Sequence, residues 1–285
     1  SDVCTDTRAI AKGSLFVAFK GTSFNGHDFV DKALAAGAAG AVVSEVRPEY
    51  EGLTAPIFVA ADTLKAYQDL ARFHRRRFAI PVVAVTGSVG KTSTRNMIAT
   101  VLSEKYRVLQ TEKNFNNEIG LPKTLLQLTP DHEACVVEMG MRGLGQIAEL
   151  AAIGEPTIGV VTNVGKSHIE LLGSQENIAK AKAELVQALD EKGTAVLNGD
   201  DPFVRPMTAL CKGKTVLYGT DDQAAVRADH IVCDQQGVRF HCSGAGQSFD
   251  VSVPVIGGHN VYNALAAIAV GQLTGLSAAE IQRDR

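Results

Sequence analysis

No apolar run in the 285 residues approaches the roughly 20 that a membrane-crossing helix requires. The opening Ser1-Asp2-Val3-Cys4 lacks the basic and apolar regions of a secretory signal, and a start at Ser instead of Met suggests a trimmed sequence. Cysteine is scarce and odd in number: Cys4, Cys135, Cys211, Cys233 and Cys242, with no C-x-x-C pair. That pattern argues against a disulfide framework or a structural zinc site, and a reduced, cytoplasmic chain is expected. There is no excess of cations, since 28 Lys and Arg face 31 Asp and Glu, for a net charge of −3. Bulk binding of nucleic acid is therefore not expected, although local phosphate binding stays open. Internal repeats and low-complexity segments are also missing. What is present is ordinary globular usage, 45% hydrophobic and 21% charged, in a length that suits two domains or one large one.

Residues 1–79 and 80–285 read differently. In the first stretch, Leu15-Phe16-Val17-Ala18-Phe19 and Ala41-Val42-Val43 are short apolar runs bounded by turn residues. Between them, residues 29–36 suit a short helix stopped by Gly37. Strand-helix-strand alternation predicts a small α/β domain. A helix from Leu64 to Phe78 follows, and its Arg75-Arg76-Arg77 run reads as a solvated C-terminus where cations suit the helix dipole.

The second stretch opens on Val82-Val83-Ala84-Val85, which suits a buried parallel strand. Further strand candidates are residues 135–138, 158–162 and 194–197, with helical patterns between them. This alternation predicts a doubly wound, mainly parallel α/β sheet, which places ligands at the carboxyl ends of its strands. Beyond Asp200 the chain turns β-rich, with turns expected at Gly237 and Gly244, and a final helix is predicted over 260–273.

The strongest local signal is Thr86-Gly87-Ser88-Val89-Gly90-Lys91-Thr92-Ser93, directly after the first strand of that domain. Gly87 and Gly90 permit close backbone approach, and a helix starting near Lys91 offers unpaired N–H groups to a phosphate. Lys91 supplies a point charge and the Thr92 hydroxyl a magnesium ligand. The strict G-x-x-x-x-G-K-[ST] pattern fails, because Val85 stands at its first position.

Other residues fall at predicted strand ends. Glu138 could hold magnesium opposite the loop or could face solvent. His168, in Thr162-Asn163-Val164-Gly165-Lys166-Ser167-His168, could ligate a metal or simply hydrogen-bond within its loop. Residues 174–189 read as a helix capped by Ser174. At about 100° per residue, Ile178, Lys182, Leu185 and Leu189 share one stripe, and Lys180 lies on the far side. Lys182 either snorkels along the apolar stripe or is chemically altered or paired, because burying a bare cation is costly. Asn114, Asn116 and Asn117 either build a turn or bind a polar ligand. Asn260 reads as a helix cap, whereas Asn263, one turn in, is free to point elsewhere.

Together these motifs resemble the Mur ligases of peptidoglycan synthesis. Four segments carry the resemblance: 86–93, Asn114-Phe115-Asn116-Asn117-Glu118-Ile119-Gly120, Glu138-Met139-Gly140-Met141, and Gly258-His259-Asn260-Val261-Tyr262-Asn263-Ala264. The second and third are most like the branch that adds D-Ala-D-Ala instead of a single amino acid. Thr5-Asp6-Thr7-Arg8 and Phe24-Asn25-Gly26-His27-Asp28-Phe29 resemble the family's nucleotide-sugar domain.

The resemblance implies a UDP-sugar domain over 1–79, with Thr7 and Arg8 in its substrate site, and an ATP-binding ligase domain over 80–285. Residues Gly87 to Ser93 would bind ATP phosphates, with Thr92 on one Mg²⁺. Glu138 would bridge to metal, and His168 would ligate a second Mg²⁺. Lys182 would match the lysine that CO₂ carbamylates in this family. Asn263, with Asn260 and His259 beside it, would contact the adenine side of ATP. Asn116 and Asn117 would hold phosphates or the substrate carboxylate. The implied substrates are UDP-N-acetylmuramoyl-tripeptide and D-Ala-D-Ala, joined through an acyl phosphate by a cytoplasmic monomer with no nucleic-acid or membrane partner. The family carries a third, C-terminal domain beginning near where this sequence stops. The expectation is therefore binding of UDP-sugar, weak binding of ATP, and poor ligation. A folylpolyglutamate-type ligase and a non-catalytic nucleotide-binding fragment are the alternatives.

Overall fold

Runs such as Val82–Thr86 and Ala134–Glu138 are buried at every residue, as strands covered on both faces must be. In the computed structural model, which describes residues 2–21, 24–167 and 169–282, the chain divides into two compact units, residues 1–75 and 76–285.

The first unit runs β1 (Val3–Cys4), β2 (Leu15–Val17), α1 (Val30–Ala35), β3 (Gly40–Val43), β4 (Ile57–Val59) and α2 (Thr63–Arg75). Its four strands are parallel and lie in sequence order. Phe16, Val30, Ala33, Ala41, Val43 and Tyr50 form its core. A 3-10 turn over Gly26–Phe29 precedes α1, and Asn25 Oδ1 caps it by accepting the His27 N–H at 3.1 Å. The expected solvated arginine run holds at Arg76 and Arg77, which are exposed, and fails at Arg75. α2 ends at Arg75, which is only 7% exposed, and Arg76 pairs with Glu155 at 2.6 Å within the second unit.

The second unit begins with β5 (Val82–Thr86), α3 (Lys91–Leu102), β6 (Val108–Gln110), α4 (Gly120–Leu125) and β7 (Ala134–Glu138). It continues through α5 (Gln146–Gly154), β8 (Ile158–Val161), α6 (Ile169–Leu172), α7 (Gln175–Ala188) and β9 (Thr194–Asn198). It closes with β10 (Lys214–Gly219), β11 (Val226–Asp234), β12 (Gly237–Gly244), β13 (Gln247–Val253), α8 (His259–Leu273) and α9 (Ala278–Ile281). One nine-stranded sheet results, in the order β13-β12-β11-β10-β9-β8-β5-β7-β6. It is parallel from β6 to β11 and antiparallel across β11-β12-β13. The last hairpin turns at Ala245 and Gly246, both at positive φ, one residue beyond the expected Gly244.

The sheet is covered on both faces. α3 and α8 pack on one through Ile98, Leu102, Leu265 and Ile268 against Val83, Val85, Val136 and Val196. α5 and α7 pack against each other and cover the other. The stripe on α7 is as the spacing predicts: Ile178, Lys182, Leu185 and Leu189 are buried, and Lys180 is exposed. Gly159 of β8 admits this helix closely, since a Cβ there would stand 3.1 Å from Leu185 Cγ. Leu185→Ala should therefore cost about 2–5 kcal/mol, the range for large-to-small core changes, read from urea unfolding followed by circular dichroism.

Candidate active site

The strand order reverses around β5. Its two neighbours, β8 and β7, both follow it in sequence, so crossovers leave in opposite directions and open a crevice at the carboxyl ends. Register places Glu138 beside Val85, and Val161 beside Thr86. Whatever follows these three strands must meet there.

After β5 the chain turns through Gly87–Gly90 into α3. A side chain at residue 87 would overlap Thr162 Oγ1. Gly90 sits at φ +82°, in the left-handed region that glycine tolerates, and a Cβ there would stand 2.9 Å from Asn263 Oδ1. The first N–H groups of α3 lack intrahelical acceptors, as at any helix start, and point from the loop. Lys91 folds back, its Nζ donating to Gly87 O at 2.9 Å and Ser88 O at 3.3 Å. Burial lowers its pKa, and Glu138 works in the opposite direction.

Glu138 is 2% exposed yet well supplied with donors. The Thr92 hydroxyl donates to its Oε2 at 2.8 Å, the Asn116 amide to its Oε1 at 2.8 Å, and buried Arg95 lies 3.4 Å from Oε2. The solvent-facing alternative for Glu138 is thereby set aside. These partners offset the cost of burying the carboxylate, which would be large for an unpaired charge.

Lys91, Asn114, Asn116, Asn117, Arg142 and Lys182 line a common cavity of about 380 Å³, with Gly87 at its edge. Lys182 is 2% exposed, and among the described residues no ion pair involves it. Burial first, and then the neighbouring Lys91 charge, push its ammonium down to about 7. Snorkelling is thus replaced by confinement in a cavity. Asn117 serves as a turn residue, with its Oδ1 accepting the Gly120 N–H at 2.8 Å at the start of α4.

Asn260 and Asn263 are buried in α8 and bonded to each other at 3.0 Å. Thr94 donates to Asn263 Oδ1 at 3.0 Å, tying α8 to α3, and Asn260 donates to Ile256 O at 3.0 Å. Gly258 holds the N-cap position without a side-chain bond, so Asn260 is not the expected cap. Asn263 does point elsewhere, at Gly90 and Thr94. Thr7 and Arg8 lie in a 3-10 turn of the first unit, where Arg8 pairs with Asp6 at 2.6 Å. His168 lies outside the described residues.

Three groups escaped sequence reading. Asn163 bonds to both backbone groups of Val89, at 3.0 and 2.8 Å. Glu184, two residues after Lys182, caps α5 from another helix by accepting the Gly145 and Ala148 N–H groups at 2.7 and 3.0 Å. Asp200 receives the Tyr262 hydroxyl at 3.0 Å and the Thr220 hydroxyl at 2.7 Å, pinning α8 to the ends of β9 and β10. Each is a long-range polar contact with no periodic signal. Only the place of Asn163 just beyond a predicted strand could have drawn notice.

A magnesium ion is compatible with the Thr92 hydroxyl and the Glu138 carboxylate, which are hard oxygen donors 2.8 Å apart. Among the described residues no group of three or more His, Cys, Asp or Glu forms a metal cage.

The depressed Lys182 pKa has a measurable consequence. The unfolded chain binds this proton up to about pH 10.4, whereas the folded chain releases it near 7. Between those values the unfolded state holds more protons, so stability rises with pH, by at most about 1.4 kcal/mol per unit. Below pH 7 the full cost of the buried cation is present. Lys182→Met should therefore gain most over wild type at pH 6, and the gain should shrink towards pH 10 in denaturant titrations.

Comparison with known proteins places this geometry. A family model described as the Mur ligase middle domain matches residues 85–271, and one described as the Mur ligase family, catalytic domain, matches residues 1–75. A Synechocystis protein named UDP-N-acetylmuramoyl-tripeptide–D-alanyl-D-alanine ligase is 46% identical over 99% of this chain and 60% of its own length. The crystal structure of MurF from Acinetobacter baumannii superposes with a TM-score of 0.92 at 31% identity, over 99% of this chain and 61% of that one. MurF from Thermotoga maritima, in complex with ADP, superposes at 0.89 and 28% identity, over 100% of this chain and 66% of that one. The chain spans about 60% of the length of the curated relatives it matches.

Proposed function

This chain belongs to the Mur ligase family, and from that premise we propose that it supplies the nucleotide-sugar and ATP-binding parts of an ATP-dependent carboxylate–amine ligase. The proposed reaction joins D-Ala-D-Ala to UDP-N-acetylmuramoyl-tripeptide in cell-wall synthesis, as the names of its relatives suggest. One observation carries the reading: Lys91 and Lys182 face a single cavity, and Asn116 on its wall bonds to Glu138, which in turn holds Thr92. The five cysteines, all free, suit the reducing cytoplasm.

The chemical difficulty is bringing two anions together. A peptide carboxylate oxygen must attack the γ-phosphorus of ATP, the bond to ADP breaks, and an acyl phosphate forms. The neutral amine of D-Ala-D-Ala then attacks the carbonyl carbon, phosphate departs with its electron pair, and the nitrogen loses one proton, to the departing phosphate or to water, as the amide forms. Lys91 and the first N–H groups of α3 set positive charge where the phosphoryl group transfers. Lys91 must first leave its contacts with Gly87 and Ser88. Asn116 holds Glu138 from one side and faces the cavity from the other. Mg²⁺, held by Thr92 and Glu138, with a second ion at His168 and carbamylated Lys182, would neutralise phosphate charge during transfer. Asn260 and Asn263 are proposed for the adenine side, and Thr7 and Arg8 for the UDP-sugar.

Carbamylation of Lys182 is part of the proposal, and its burial beside Lys91 supports it. With a pKa of about 7 and little water, much of the amine is neutral at physiological pH. A neutral amine adds to CO₂, forming an N–C bond and releasing one proton. The anionic carbamate then relieves the repulsion from Lys91. Labelled ¹³CO₂ should give a carbamate carbon resonance that disappears in Lys182→Arg, whereas an unchanged spectrum would remove this assignment.

Calorimetry tests the wider reading. UDP-N-acetylmuramoyl-tripeptide and MgADP should each bind. Lys91→Met should weaken MgADP by about tenfold or more, equivalent to about 1.4 kcal/mol, and leave the UDP-sugar unaffected. MgADP binding that ignores both Lys91→Met and Glu138→Gln would refute the assignment.

A further inference from the structure

The loop between β5 and α3 is gripped by the segment that follows β8. The pairing of Thr86 with Val161 carries Thr162 and Asn163 alongside Gly87 and Ser88. Asn163 then reaches across with its whole carboxamide: its Oδ1 accepts the Val89 N–H at 3.0 Å, and its Nδ2 donates to the Val89 carbonyl at 2.8 Å. Its own carbonyl accepts the Ser88 N–H at 3.0 Å, and the Thr162 hydroxyl donates to Val89 O at 2.9 Å. A side-chain amide has the same donor and acceptor as a peptide group, so this grip imitates a rung of sheet where the loop can form none.

The anchor is itself anchored. Val164 donates its N–H to Asp201 Oδ2 at 2.9 Å and accepts from Gln175 Nε2 at 2.6 Å. Thus β8, β9 and α7 all fix the backbone that bears Asn163. The loop needs such help because it lacks the leading glycine of the usual phosphate-loop pattern, with Val85 in that place, and the Val89 side chain is exposed.

We propose that Asn163 is a positioning residue that presets the phosphate loop by this two-point grip on Val89. The proposal rests on the nucleotide reading of the site. It has a specific corollary: the Val89 N–H is spent on Asn163 and is not among the phosphate donors. The anion is left to Lys91 and the first N–H groups of α3. Preorganisation of this kind lowers the ordering cost of binding.

The test uses the nucleotide-free chain and MgADP as the probe. Hydrogen exchange resolved by NMR should show the Val89 amide protected in wild type. Asn163→Ala should speed its exchange at least tenfold, with the amides of Val83 and Val85 unchanged as an internal control of folding. The same variant should bind MgADP about tenfold more weakly. Asn163→Asp sets a carboxylate oxygen against the Val89 carbonyl in place of the donor, so it should not restore Val89 protection. Rapid exchange at Val89 in wild type overturns the grip. Loss of protection without weakened MgADP binding overturns the positioning role alone. Failure of wild type to bind MgADP overturns the nucleotide reading and this role with it.

Discussion

Two ammonium groups, Lys91 and Lys182, face one cavity, whose own carboxylates, Glu118 and Glu149, are exposed, while buried Glu138 is committed to Thr92, Asn116 and Arg95. Like charges in a partly dry space repel strongly, because the low dielectric barely screens them. The protein relieves this in two ways. Lys91 leans on loop carbonyls, and Lys182 gives up affinity for its proton. Both responses lower the electrostatic cost of two lysines sharing one cavity. Much of the surrounding polar network serves to hold these two side chains in place.

The holding is done largely by backbone groups in unusual company. Glu184 caps α5 from the neighbouring helix, which fixes the wall formed by Gly140, Met141 and Arg142 relative to Lys182. Asp200 ties Tyr262 and Thr220 together, which locks the start of α8 against the sheet. Asn263 then rests against Gly90 and accepts from Thr94, so α8 and α3 meet behind the loop. The site's shape is therefore a property of the whole second unit and not of the loop by itself.

Much of this was legible in the order of residues. Strands β5, β7, β8 and β9 stood out because a parallel strand covered on both faces must be apolar throughout. The α7 stripe revealed Lys182 for the same reason, a polar residue where the period demands an apolar one. Strands β1, β4 and β6 escaped because two or three residues carry too little pattern to recognise. Arg75 was misjudged because composition cannot tell a solvated arginine from a buried one. Asn163, Glu184 and Asp200 were invisible as a class. Their partners lie 74, 39 and 62 residues away in sequence, and nothing local records such a pairing.

The crowding at Gly87 reaches beyond conformation. The missing Cβ of that residue and the hydroxyl of Thr162 lay claim to the same volume, and that hydroxyl also bonds to Val89. The two positions are thus coupled through one volume. A mutational route from glycine to any larger residue at 87 must first vacate 162, and vacating 162 forfeits a contact to the loop. Neither step leaves the loop as it is, so a change at either position is felt at both.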